Sequence, residues 1–274
     1  MKPIHAVFAL FLLLVLAGCA ASPVGSYQST AVSNSILNSE LALAARSYEG
    51  IDRNPVVIIH GFLGARLADP AGPVWGNFST ATFSDANLKA LGLPMEIGKP
   101  LAALVSPSVP AGILDDAEIR FAGFTFRQPG YGLAVDRLVK AGYVDGSRPL
   151  PRGRKHPNLF SFAYDWRRDL PESAAKLHEF LLEKRRYLQE LYEAEYGVRD
   201  YDVQFDLVAH SMGGLLARYY LMYGDQDLPH DPEKLPELDW RGCLMVDKLL
   251  VVGTPNDGYL DTFRELVEGL VLVP

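Results

Sequence analysis

The chain has 274 residues, of which 49% are hydrophobic and 22% charged, a composition with room for one large core. Its net charge is −7 and no run of lysine or arginine dominates, which argues against a nucleic-acid partner. The short basic group Arg152, Arg154, Lys155 and His156 reads as a solvated loop.

Residues 1–18 read as a targeting segment: Lys2 supplies a positive start, and Ala6 to Ala17 are apolar but too short to span a bilayer comfortably. Leu16-Ala17-Gly18-Cys19 resembles the bacterial lipobox, in which the cysteine is lipidated and becomes the mature N-terminus. The alternatives are an ordinary secretion signal with an incidental cysteine, or an uncleaved anchor. The lipobox implies a lipoprotein of the cell envelope, held to a membrane surface through Cys19. Ala20 stands where an aspartate signals inner-membrane retention, so the expected address in a two-membrane host is the outer membrane, facing the periplasm. Cys243 is the only other cysteine, so lipidation of Cys19 would exclude an intrachain disulfide. Cys243 itself, beside an apolar strand, is expected to be a small buried hydrophobe.

Residues 19–50 are rich in Ser and Ala and read as a tether carrying one short amphipathic helix within SNSILNSELALAARSYEG. A domain over residues 51–274 is expected to follow. Its first strand is VVII, after Asn54-Pro55, a β-branched run of the kind buried in a parallel sheet. From about residue 65 to 128 the pattern is irregular, with Pro, Gly, Ser and aromatics expected to be exposed (Trp75, Phe78, Phe83), which suits a cap or lid insertion. YGLAVDRLVKAGY spaces Leu133, Val135, Leu138 and Val139 at helical intervals, and NLFSFAYDW is the next strand. A long amphipathic helix begins near Pro171, with Leu177, Leu181, Leu188, Leu191 and Tyr192 as its buried stripe. YDVQFDLVAH reads as a strand, SMGGLLARYYLMYG as a helix and VDKLLVVGTP as a strand, the alternation of a parallel α/β sheet.

Two motifs carry chemistry. Ala209-His210-Ser211-Met212-Gly213 falls on a strand-to-helix turn, where a nucleophile elbow requires small residues two before and two after the serine. The plain alternative is a serine helix cap followed by Gly-Gly packing. HGFLG, residues 60–64, ends the earlier strand in the position where α/β-hydrolases place half of an oxyanion hole. The donors expected for that hole are the N–H of Met212 and the N–H of Phe62 or Leu63, both of which stay open.

VVIIHGFLGARL, AYDWRRDL, VAHSMGGLLARYYL and VVGTPNDG, in that order, resemble the lecithin:cholesterol acyltransferase family, which includes phospholipid:diacylglycerol acyltransferases and related lipases. The match runs from about Asn54 to Gly258. It implies the α/β-hydrolase fold, a parallel sheet with flanking helices and a cap, and acyl transfer from a lipid or ester substrate through an acyl-enzyme on Ser211. The sequence carries no metal-ligand cluster and no phosphate-cradling glycine loop, so no metal or nucleotide cofactor is expected. Asp165-Trp166-Arg167 corresponds to the family's YDWR motif and is assigned mainly to scaffolding beside the site. His60 stands where many members have proline, a departure toward lipases.

The triad of this fold runs Ser, then Asp or Glu, then His. After Ser211 the single histidine is His230, in a proline-punctuated loop, where a solvated role is expected. His210 adjoins the serine and is expected to pack; His60, His156 and His178 precede the elbow, and Asp257 would be an acid without a later histidine. The strands that carry acid and base in this fold are expected to be absent, so the chain reads as the N-terminal part of a longer hydrolase. Two further readings compete: a non-catalytic membrane-anchored lipoprotein with a degenerate hydrolase fold, and an enzyme whose acid and base come from a partner chain.

Overall fold

The computed structural model describes residues 40–78, 85–94, 96–99, 103–121, 124–229, 231, 233–260, 264, 267 and 268. The targeting segment, Cys19, Phe83 and His230 lie outside the described residues. The chain divides into two units, one ending at Ser47 and one beginning at Tyr48. In the first, helix α1 (Glu40–Ser47) ends with Ser47 Oγ donating to the Ala44 carbonyl at 3.0 Å.

The second unit opens with β1 (Val56–Ile59). An excursion follows, comprising β2 (Ala65–Asp69), β3 (Gly72–Trp75), β4 (Asn77–Phe78), helix α2 (Asp85–Leu91), β5 (Val109–Ile113), β6 (Asp116–Phe121) and β7 (Phe124–Pro129). The chain then alternates through α3 (Gly132–Lys140), β8 (Leu159–Phe162), α4 (Leu170–Tyr196), β9 (Phe205–His210), α5 (Met212–Tyr223), a 3₁₀ turn (Arg241–Leu244) and β10 (Val246–Val252). The excursion forms two small sheets, ordered β3-β2-β5 and β4-β6-β7. The main sheet is β10-β9-β1-β8 with every neighbouring pair parallel.

β1 is central, and Val56, Val57, Ile58 and Ile59 are each no more than 3% exposed. A parallel strand needs helical crossovers, and these cover both faces, so its sequence is continuously apolar rather than alternating. Val57 and Ile59 pack into the core that holds Leu177 and Leu181 of α4 and Leu216, Ala217 and Tyr220 of α5. Val56 and Ile58 pack on the other face with Val135 of α3. The fold is therefore the three-layered α/β arrangement expected from the alternation of elements.

α4 forms where the heptad-like spacing of Leu177, Leu181, Leu188 and Tyr192 lays four fully buried side chains along one stripe, while Leu191, at its margin, is half-buried. Asp169 caps its start by accepting the Glu172 N–H at 3.2 Å, Pro171 sits in the first turn, and Gly197 closes it in the left-handed region. Its two ends are thus set by short-range chemistry, and its face by the core.

Four expectations change. In α3 only Val135 is buried and Leu138 packs beside it, while Leu133 and Val139 face solvent. Cys243 is exposed because the 3₁₀ turn directs Gly242, Met245 and Val246 inward and leaves Cys243 and Leu244 outside. His156 leaves the solvated basic loop: it is 5% exposed, and its Nδ1 meets Tyr196 Oη at 2.8 Å. Trp75 is half-buried rather than exposed, with Nε1 donating to the Leu63 carbonyl at 3.0 Å. None of the described helices is long and apolar enough to cross a membrane.

Candidate active site

β1 and β9 are adjacent, yet the helix that follows β9 lies on one face and the helix between β1 and β8 on the other. A crevice opens outside the carboxyl ends of two such strands, which is where open α/β sheets bind their ligands. Both motifs singled out from the sequence stand at this point.

Ser211 is the single residue between β9 and α5, with φ 52° and ψ −124°. A residue with a Cβ seldom adopts this conformation, and holding it costs on the order of 1–3 kcal/mol. Its N–H donates to the Val252 carbonyl and its own carbonyl accepts from Gly214 N–H, both at 2.9 Å, so the bend is tied to β10 and to the first turn of α5. Ala209 is fully buried, and a Cβ on Gly213 would lie 2.8 Å from the Ile59 carbonyl oxygen. The close passage of α5 over the end of β1 therefore excludes a side chain at position 213, while Ala209 places its small side chain in the core.

The loop after β1 presses on the serine. A Cβ on Gly61 would come 2.8 Å from Ser211 Cβ and 3.1 Å from the His210 carbonyl oxygen. Leu63 has φ 62°, and the turn closes with Gly64 N–H on the Gly61 carbonyl at 3.1 Å. The N–H groups of Phe62, Leu63 and Met212 meet no acceptor among the described residues. The Phe62 ring is 60% exposed and stands edge-on to Trp166 at 5.1 Å, and Trp166 in turn meets Trp75 at 5.6 Å.

His60 underpins this loop. It is fully buried, its Nε2 accepts the Tyr164 N–H at 3.1 Å, and its Nδ1 therefore carries the proton and donates to the Gly61 carbonyl at 2.8 Å. Burial lowers its pKa to about 4, so the ring is neutral near pH 7. Both nitrogens are committed to backbone groups, which removes His60 from consideration as a general base. His210 is exposed rather than packed inside, and its Nδ1 meets the Tyr131 hydroxyl at 2.7 Å. His178 is occupied elsewhere, with Nδ1 at 3.0 Å from Tyr220 Oη. Asp257 is exposed in the turn after β10.

Asp165 and Arg167 form a two-pronged pair at 2.9 and 2.8 Å, with side-chain exposures of 9% and 5%. Arg167 also donates to the Leu91 carbonyl at 2.8 Å, and Arg168 to the Leu104 carbonyl at 2.8 Å. These arginines tie the excursion to the end of β8. A cavity of about 840 Å³ lies beside them, lined by Val105, Val109, Pro110, Arg168, Glu172 and Leu228 among others, but not by Ser211. Among the described residues no group of three His, Cys, Asp or Glu side chains could hold a metal ion.

A parallel α/β sheet with a strained serine between strand and helix defines an α/β-hydrolase. The family model for lecithin:cholesterol acyltransferase matches residues 130–271, just over half of the chain. The chain belongs to that family, which is one of lipid acyltransferases and lipases acting on lipid esters. No curated protein matches it.

Tyr131 is the residue at this site that the sequence reading missed. It appears there only as the start of a helix, and no local spacing reports which distant backbone its hydroxyl reaches.

Proposed function

We propose that Ser211 is the nucleophile of lipid acyl transfer, and that the N–H of Met212 with that of Phe62 or Leu63 holds the developing oxyanion. The observation that carries this reading is the positive-φ serine packed against a loop whose amides have no acceptor among the described residues. Ser211 Oγ would add to the ester carbonyl, the alcohol portion of the lipid would leave with a proton, and an acyl-enzyme would remain. Water or a lipid hydroxyl would then take the acyl group, giving hydrolysis or acyl transfer respectively. The proton of Ser211 needs a base, and His60 does not serve, since both of its nitrogens are bonded.

The test is covalent labelling of the chain with a fluorophosphonate, beside Ser211→Ala. Stoichiometric label on the parent chain and none on the variant is expected. A parent chain that stays unlabelled would favour the non-catalytic lipoprotein instead. Assays on phospholipid vesicles with and without a sterol or diacylglycerol then separate hydrolysis from transfer.

The address of the protein belongs to the same proposal. Leu16-Ala17-Gly18-Cys19 supports lipidation at Cys19 and attachment to the outer membrane on its periplasmic side. Incorporation of radiolabelled palmitate that persists in Cys19→Ser would disprove it.

A further inference from the structure

Tyr131 occupies the N-cap of α3 without making a side-chain cap bond. Its hydroxyl reaches back across the sequence to accept the Gly61 N–H at 2.7 Å and meets His210 Nδ1 at 2.7 Å. The same residue is tied through its backbone: Tyr131 N–H donates to the Leu114 carbonyl at 3.0 Å, and Leu114 N–H donates to the Gly64 carbonyl at 2.8 Å. A closed circuit of hydrogen bonds thus grips the loop at Gly61 and at Gly64, the two residues that flank Phe62 and Leu63. The ring also stands edge-on to His60 at 6.2 Å and to His210 at 5.7 Å, so it wedges between the loop and the elbow.

We propose that Tyr131 is a positioning residue for acyl transfer at Ser211, one that engages the Gly61 amide and clamps the loop to His210 so that the next amides face the substrate oxygen. This rests on the reading of Ser211 as nucleophile. Hydrogen-bond donors contribute most to a transition state when they are already aimed at the developing charge, and the clamp supplies that aim. The hydroxyl is also placed to fix the tilt of the His210 ring, immediately before the serine.

The test uses Tyr131→Phe in the full chain, which keeps the ring and deletes only the oxygen. Turnover of p-nitrophenyl butyrate is compared with the parent chain and Ser211→Ala, together with hydrogen exchange at the Gly61 amide and thermal unfolding. The expected result is a kcat lowered about 10- to 100-fold with KM within about threefold. Gly61 exchange should accelerate at least tenfold, with the melting temperature within about 4 °C. A kcat within twofold of the parent, in a chain whose turnover is lost in Ser211→Ala, would overturn the proposal. Turnover that is unchanged in Ser211→Ala would overturn the nucleophile reading and the clamp's purpose with it, whatever Gly61 exchange shows.

Discussion

His60 lies with no exposed surface, its ring stacked on Tyr164 at 4.2 Å and its nitrogens on two backbone groups. Its folded pKa of about 4 lies below the ordinary 6.5, so the unfolded chain takes up a proton that the folded chain refuses. The contribution of the neutral ring is therefore intact above pH 6.5 and is lost as the pH falls toward 4, amounting to about 3 kcal/mol. Urea unfolding between pH 7 and pH 4 should show this slope, and His60→Gln should flatten it. His156, also lowered by burial, leaves a smaller slope of the same sign in the variant. Ser211 offers a second check on strain. Ser211→Gly removes the Cβ that makes φ 52° unfavourable, so it should be about 1 kcal/mol more stable to urea than Ser211→Ala. Equal stabilities would mean that the bend stores no strain. At this scale the elbow and the HGFLG loop were legible from the chain, because each motif encodes its own local turn. Tyr131 and Trp75 were not, because their partners at Gly61 and Leu63 are brought close only by the fold.

At the scale of elements, the stripe on α4 and the Asp165–Arg167 pair hold different things. Leu181 is fully buried between α4 and the sheet, and Leu181→Ala should cost about 2–5 kcal/mol, read from the urea midpoint. Arg167 joins Asp165 to the C-terminal end of α2 through the Leu91 carbonyl. Arg167→Met leaves a buried carboxylate without its cation and should cost about 3–5 kcal/mol. Arg167→Lys keeps the charge but not the fork, and should fall between the parent and Arg167→Met. A value for Arg167→Met below 1 kcal/mol would show that the motif does not hold the excursion. The helix boundaries were legible because Asp169, Pro171 and Gly197 act on their nearest neighbours. The burial of α3 was not: its apolar spacing is helical, but the sheet covers a narrower stripe than that spacing offers, and Leu133 and Val139 remain outside.

For the whole molecule, β10 is the edge of the main sheet among the described residues, and Leu250, Val251 and Val252 are 39–59% exposed there. An apolar, unpaired edge invites association. Concentrated solutions of the chain should therefore scatter light increasingly with time, and Val251→Lys should suppress this without moving the thermal midpoint by more than about 4 °C. Unchanged scattering would place the sticky surface elsewhere. The order of strands decides where chemistry is possible. Because β8 and β9 flank β1, the carboxyl ends of β1 and β9 come together with their helices on opposite faces, and the serine meets the loop in the gap between them.

Alternation of elements, the small residues around Ser211 and the capped ends of α4 follow from neighbours in sequence, and these determined the fold class and the candidate nucleophile without any tertiary information. Tertiary structure alone decided that His60 is a buried neutral strut, that Cys243 is exposed, and that Tyr131 grips the Gly61 amide. Each of these depends on which surfaces the sheet brings into contact, and the burial, pKa and hydrogen-bond partners of a side chain are set by that contact across space rather than by the residues beside it in the chain.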